Sequence, residues 1–192
     1  HSPRPTSSDA TPARASTSGE NHAAERPGPR ILTALPSALE DRYHPLAALP
    51  GGGEADVVLV ADNNAKRSIA KIYRPGIEPK TRVAEKLARL SSRHIVAAQK
   101  FGESDADGSD GRAWEIQEYL PHGSLRDMLS QDGHRLLEAE ALKLLRQMVE
   151  ALECVHPEKI AHRDIKPENI LIRSLDPLEF ALCDFGTATV VD

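Results

Sequence analysis

Eight residues constrain this 192-residue chain more than any others: His162-Arg163-Asp164-Ile165-Lys166-Pro167-Glu168-Asn169. They set a carboxylate, an ammonium and a carboxamide close together, and Asp184-Phe185-Gly186 follows shortly after. Any one of these side chains alone would read as a solvated surface charge. Their joint order and spacing argue against that. Between the two stretches lie short apolar runs, Ile170-Leu171-Ile172 and Phe180-Ala181-Leu182, which read as a hairpin under the charged residues, with Ser174 to Glu179 as its turn. Upstream, Glu138 to His156 reads as a helix whose stripe is Ala141, Leu144, Leu145, Met148, Leu152 and Val155. Ser124 is placed to cap a helix starting in Gly123-Ser124-Leu125.

Length allows one or two small domains with a real core. A formal net charge of −5 with a pI near 5.9 argues against a dedicated nucleic-acid binder, and 4% aromatic residues leave little for base stacking. Cys154 and Cys183 form no close pair and have no ligand-like spacing, so a disulfide framework or zinc site is not expected. A reducing, cytoplasmic setting is the default for such a chain. No long apolar run and no leader pattern are visible, so neither a membrane span nor a signal peptide is expected.

Residues 1 to about 30 are rich in Ser, Thr, Pro, Ala and Gly and read as a tail or spacer. Ile31, Leu32, Leu35 and Leu39 suggest a lead-in that packs on the domain beginning near Arg42. Two apolar runs flank Pro50-Gly51-Gly52-Gly53 and predict a hairpin. Ser68 to Tyr73 alternates as a strand, with Ile69 and Lys71 on one face and Ala70 and Ile72 on the other. Val83, Leu87 and Leu90 predict an amphipathic helix over 79–91. Strands are expected over 95–101 and 114–120, joined by an acidic turn at 103–112. In that turn Asp105, Asp107, Ser109 and Asp110 also suggest a calcium loop, which lacks the closing Glu and flanking helices.

The 162–169 stretch, with Asp184-Phe185-Gly186 in phase behind it, closely resembles the catalytic loop and metal-binding triplet of eukaryote-like, bacterial-type serine/threonine protein kinases. The resemblance covers roughly residues 42–192. It implies a bilobal α+β fold: an antiparallel N-lobe sheet with one helix over 42–120, and the first part of a helical C-lobe over 121–192, with 1–41 as tail and lead-in. It implies ATP and Mg²⁺ as cofactors and a protein Ser or Thr hydroxyl as acceptor. Asp164 would orient the attacking hydroxyl, Lys166 would neutralise the moving γ-phosphate, and Asn169 and Asp184 would hold the metal. Arg163 resembles the arginine that in many members pairs with a phosphorylated activation loop. Lys71 would meet the α- and β-phosphates. Gly51, Gly52, Gly53 and Val57 would form the phosphate-covering loop, although only Gly52 falls on one of the family's three glycine positions. The carbonyl of Glu118 and the amide of Leu120 would meet adenine, with Gln117 as a polar gatekeeper.

One departure stands out. The helix position that in the family carries a glutamate for the strand lysine falls on Val83, and Glu85 lies about 200° further round the helix. Either Glu85 or, less directly, Glu78 supplies the pair, or it is missing. The irregular glycine loop and this gap support an alternative, a pseudokinase that binds nucleotide or a partner without transfer. A small-molecule phosphotransferase of similar fold is a further alternative. The chain starts at His1 and ends soon after Gly186, which the resemblance reads as an incomplete kinase domain, inactive alone.

Overall fold

The computed structural model describes residues 34–103, 112–131, 133 and 135–191. The tail and the acidic turn with its calcium alternative lie outside them.

Five antiparallel strands form the first sheet, in the order β1-β2-β3-β5-β4: β1 Tyr43–Leu49, β2 Ala55–Asp62, β3 Arg67–Tyr73, β4 Ala98–Glu103 and β5 Ala113–Glu118. The period of two divides its faces. Val58, Val60, Ala70 and Ile72 point to one side and are fully buried, each burial contributing roughly 1.5–3 kcal/mol for a Val or Ile side chain. The short helix α1, Ser37–Glu40, covers this side: Leu35 and Leu39 join the same cluster, so the lead-in is part of the core. Val57, Ile69 and Lys71 face the other way, into a cleft. The alternation expected for the third strand is the one observed. β4 runs over 98–103 rather than 95–101, because residues 94–96 pair instead with the later hairpin. Val96 N–H donates to Leu182 O and Leu182 N–H to His94 O, both at 2.9 Å.

Helix α2 spans only Thr81–Leu87, shorter than the expected 79–91. Its end tightens into i→i+3 turns, with Arg89 N–H bonding Lys86 O and Leu90 N–H bonding Leu87 O, so the helical spiral stops before Leu90. Val83, Ala84 and Leu87 are its buried face.

The second core gathers α2, α3 (Leu125–Leu129), α4 (Glu138–Val155) and the hairpin of β7 (Ile170–Leu175) and β8 (Leu178–Leu182). The hairpin is as expected, with a tighter turn. Its strands sit on α4 through Gln147, whose Oε1 accepts from Phe180 N–H at 2.8 Å. Leu145 is a correction: it is 62% exposed, with Leu142 and Val149 on the same outer side. The buried stripe runs through Leu144, Gln147, Met148, Ala151 and Val155, and Leu145 is one residue, about 100°, off it. A two-stranded ribbon of β6 (Ile160–Ala161) and β9 (Thr189–Val190) was not anticipated.

Ser124 caps α3 in a full capping box. Its Oγ accepts from Asp127 N–H at 3.1 Å, and Asp127 Oδ2 accepts from Ser124 N–H at 2.8 Å. The Ser124 hydroxyl and amide hold the Asp127 carboxyl below its ordinary range. A depressed carboxylate stabilises the fold above its unfolded value and loses that contribution as pH falls through the folded value. Ser124→Ala is therefore expected to cost about 1 kcal/mol at neutral pH and less in acid, measured by urea unfolding across pH.

Candidate active site

The hairpin of β7 and β8 builds the floor. Cys183 N–H donates to Asn169 O at 2.9 Å, which closes the open end of the hairpin and sets Asn169 beside Asp184. A 3-10 turn over Pro167–Asn169 carries the buried Asn169 into the cleft. Its Nδ2 donates to Asp164 O at 2.8 Å and to Asp164 Oδ2 at 2.9 Å. Both bonds use the amide nitrogen, so the oxygen is the end left for a cation. Lys166 Nζ lies 2.6 Å from Asp164 Oδ2. That hydrogen bond, more than any other contact, holds the Asp164 carboxyl below its usual range and raises the Lys166 ammonium.

His162 ties the two stretches together. Its Nε2 is 2.9 Å from Cys183 O and its Nδ1 is 3.2 Å from Asp164 N. One neutral tautomer, Nε2 donating and Nδ1 accepting, satisfies both. The ring meets Phe185 edge-on at 4.6 Å, and Thr187 Oγ1 donates to His162 O at 3.1 Å. His162 is thus a buried loop fastener.

Asp184 takes a left-handed backbone, φ 59° and ψ 72°, a conformation Asp tolerates better than most residues. Lys71 Nζ donates to its Oδ1 at 2.7 Å. Burial pushes the Asp184 carboxyl up, but the Lys71 charge and hydrogen bond, with Gly186 N–H, outweigh this and hold it low. A Cβ on Gly186 would lie 3.1 Å from Glu54 Oε2, 3.2 Å from Asp184 Oδ1 and 3.4 Å from Lys71 Nζ, so glycine keeps this charged corner open.

These groups face one cleft of about 840 Å³ between the sheet and the hairpin. Gly51, Gly52, Gly53 and Val57 line its roof, Glu118 and Leu120 its back, and Lys71, Asp164, Lys166, Asn169 and Asp184 its charged end. The residues read from the sequence for nucleotide, metal and acceptor therefore line this cleft, whereas Arg163, Glu78 and Glu85 are not among its lining residues. Gly51 is required by the fold itself, since a Cβ there would sit 2.7 Å from Ala55 O. At Gly52 and Gly53 the space is open, so a ligand can come close to the backbone. The Glu118 side chain is held away from the cleft's chemistry by Arg173, whose Nη1 and Nη2 donate to it at 2.8 and 2.6 Å.

Glu85 does not pair with Lys71. It is exposed and makes no ion pair among the described residues, and Glu78 is exposed as well. Val83 fills the helix position instead, buried against a small cavity that Lys71, Tyr73, Glu115 and Gln117 also line. The polar gatekeeper has a reason: Gln117 Nε2 donates to Glu115 Oε2 at 3.1 Å. Sequence reasoning missed Glu115 and Glu54. Glu115 had a signal, a carboxylate two residues from Gln117 and so on the same face of a strand otherwise suited to burial. Glu54 had none beyond its place next to the glycines.

Comparison with known proteins decides the family. The model described as "Protein kinase domain" matches residues 47–192. The chain belongs to the protein kinase family. Among similar proteins, this kinase domain is 32% identical to the probable serine/threonine-protein kinase PknB of Corynebacterium glutamicum, over 80% of this chain and 24% of that protein. It is 32% identical to serine/threonine-protein kinase PrkC of Bacillus subtilis, over 80% of this chain and 24% of that protein. It is 34% identical to serine/threonine-protein kinase PknD of Mycobacterium tuberculosis, over 76% of this chain and 22% of that protein. The chain thus spans about a quarter of the length of these relatives. A crystal structure of Rad53 1-466 in complex with AMP-PNP superposes with a TM-score of 0.68 at 27% identity, covering 77% of this chain and 39% of that one. The bilobal kinase fold expected from the sequence is therefore the fold this chain has. No helix among the described residues is long and apolar enough to cross a membrane.

Proposed function

We propose that this kinase domain transfers the γ-phosphoryl group of ATP to Ser or Thr hydroxyls of proteins. One observation carries this: Lys71, Asp164, Lys166, Asn169 and Asp184 all line a single cleft, beneath glycines with open space around them. Phosphoryl transfer asks a protein mainly for positioning and charge neutralisation. The acceptor hydroxyl oxygen bonds to the γ-phosphorus, the bond to the ADP oxygen breaks, and the hydroxyl proton leaves through Asp164. Lys166, already within 2.6 Å of Asp164, is placed to follow the transferred group's charge. The Glu118 carbonyl and Leu120 amide would hold adenine.

The chain fits Mg²⁺. Among the described residues no three His, Cys, Asp or Glu side chains could hold a metal by themselves. Mg²⁺ needs no such cage, since it keeps waters and phosphate oxygens beside one or two protein ligands. Asp184 and the oxygen of Asn169 would be those ligands, and the ion would neutralise charge between the phosphates. The two lobes, 42–120 and 121 onward, would close on ATP with 1–41 as tail and lead-in. Free thiols at Cys154 and Cys183 support a cytoplasmic setting, and the net charge of −5 gives nucleic acid no part in this function.

The test is transfer from labelled ATP by the full-length protein to itself and to a generic protein substrate, followed by phosphoamino-acid analysis. Label on phosphoserine or phosphothreonine is expected. Label confined to phosphotyrosine, or nucleotide binding with no transfer, would overturn the proposal, the latter in favour of a binding module.

A further inference from the structure

We propose that Glu115, on strand β5, is the positioning carboxylate for Lys71, in place of a glutamate on helix α2. This rests on the phosphoryl-transfer function proposed above.

Lys71 and Glu115 are direct partners across β3 and β5, so their side chains share one face of the sheet. Opposed residues in such a ladder have Cβ atoms about 4.5–5.5 Å apart. The same face carries Tyr73 and Gln117, each two residues along its strand. Glu115 is 8% exposed. Burying a carboxylate is costly unless its oxygens are bonded and its charge is matched. Its oxygens are bonded: Oε1 accepts from Tyr73 OH at 2.8 Å and Oε2 from Gln117 Nε2 at 3.1 Å. Burial, and next the Glu115 charge, raise the Tyr73 hydroxyl well above its ordinary value, so it stays a donor. Both donors are neutral. The cation on this sheet face is Lys71, whose Nζ lies 5.4 Å from the centre of the Tyr73 ring, while Lys80, ahead of α2, also lines the small cavity.

Lys71 Nζ bonds Asp184 at 2.7 Å, and Asp184 is the residue assigned to the metal. A carboxylate drawn towards a cation gives Lys71 a weaker partner, and a second negative charge is then needed to keep the ammonium in place. The helix has none to give, because Val83 stands there, buried and lining the same small cavity as Glu115. Charge and apolar residue have in effect exchanged sides of the cavity. Glu54 is the other nearby carboxylate, but it is exposed on the glycine loop. With Glu115 in the role, the Lys71 counter-charge belongs to the sheet and does not depend on where α2 sits.

The experiment compares Glu115→Gln, Glu54→Gln and the double variant Val83→Glu/Glu115→Gln in the full-length protein. It measures affinity for Mg²⁺–ATP by calorimetry, kcat and KM for ATP, and the thermal midpoint. Glu115→Gln is expected to weaken Mg²⁺–ATP affinity and kcat/KM for ATP by about tenfold, within the usual coupling of neighbouring groups. Glu54→Gln is expected to change them less. Adding Val83→Glu is expected to recover most of the loss, because the carboxylate returns from across the cavity. A merely structural Glu115 would lower the thermal midpoint, and the second substitution would lower it further with no recovery. Affinity within twofold of wild type in Glu115→Gln, or the larger loss in Glu54→Gln, would overturn the proposal. Binding without transfer in wild type defeats the proposed function while the affinity comparison still decides Glu115. Wild-type protein that binds no nucleotide overturns both.

Discussion

Asp184→Ala is expected to abolish the Mg²⁺-dependent part of nucleotide binding and to lower phosphoryl transfer by about 10³-fold or more. Two roles meet in this side chain. It is the carboxylate proposed, with the amide oxygen of Asn169, to hold Mg²⁺, and it is the hydrogen-bonded partner of Lys71 at 2.7 Å. Removing it would take away the proposed metal ligand and leave Lys71 without that partner. The released ammonium is free to meet phosphate, so ATP affinity without Mg²⁺ should hold or rise while the gain from adding Mg²⁺ disappears. Calorimetric titration of ATP with and without Mg²⁺ separates these effects. Equal Mg²⁺ gain in the variant and the parent would remove Asp184 from the metal site. Loss of metal-free binding as well would mean that Asp184 mainly keeps the cleft folded.

The residues of this site were readable in the sequence because the chemistry fixes their spacing within short loops. Lys71 was readable because strand alternation sets Ile69 and Lys71 against Ala70 and Ile72, and the burial follows that alternation. Ser124 was readable because a cap is a local interaction, and it caps α3 as expected. What the sequence hid depends on contacts between distant segments. The start of β4 turns on where 94–96 leave to pair with Leu182, a partner more than eighty residues away. Leu145 is apolar and close to the stripe, so composition alone could not exclude it, and only the direction of the hairpin's approach decides which side of α4 is buried. Glu115 is the sharpest case. In sequence it is one acidic residue between Trp114 and Ile116. Its meaning comes from the β3–β5 register, which sets it opposite Lys71, and from Val83 closing the other wall. The gatekeeper Gln117, unexplained in sequence, follows from the same register as a donor to that buried carboxylate.

Asp164→Asn is expected to separate binding from turnover. Phosphoryl transfer should fall by about 10²–10⁴-fold, the usual contribution of a positioned acid–base group. Affinity for Mg²⁺–ATP should stay within about threefold, because Asp164 is assigned to the acceptor hydroxyl and not to the nucleotide. Asp164 is held from three sides: its carboxylate by Lys166 and Asn169, its carbonyl by Asn169, and its amide by His162. Lys166 first, then Asn169, hold its carboxyl low, so it is ionised throughout the neutral range and is a weak base. A weak base contributes by orienting the hydroxyl and receiving its proton late, once the oxygen has become acidic by bonding to phosphorus. Asparagine keeps the shape and an acceptor oxygen but cannot take that proton, and it leaves Lys166 without its ion partner. The loss should therefore fall on kcat, with KM for ATP nearly unchanged. Transfer equal to that of the parent would exclude Asp164 as the proton acceptor. A parallel loss of nucleotide affinity would place it with Asp184 in the nucleotide site, and the two aspartates would no longer be separable by role.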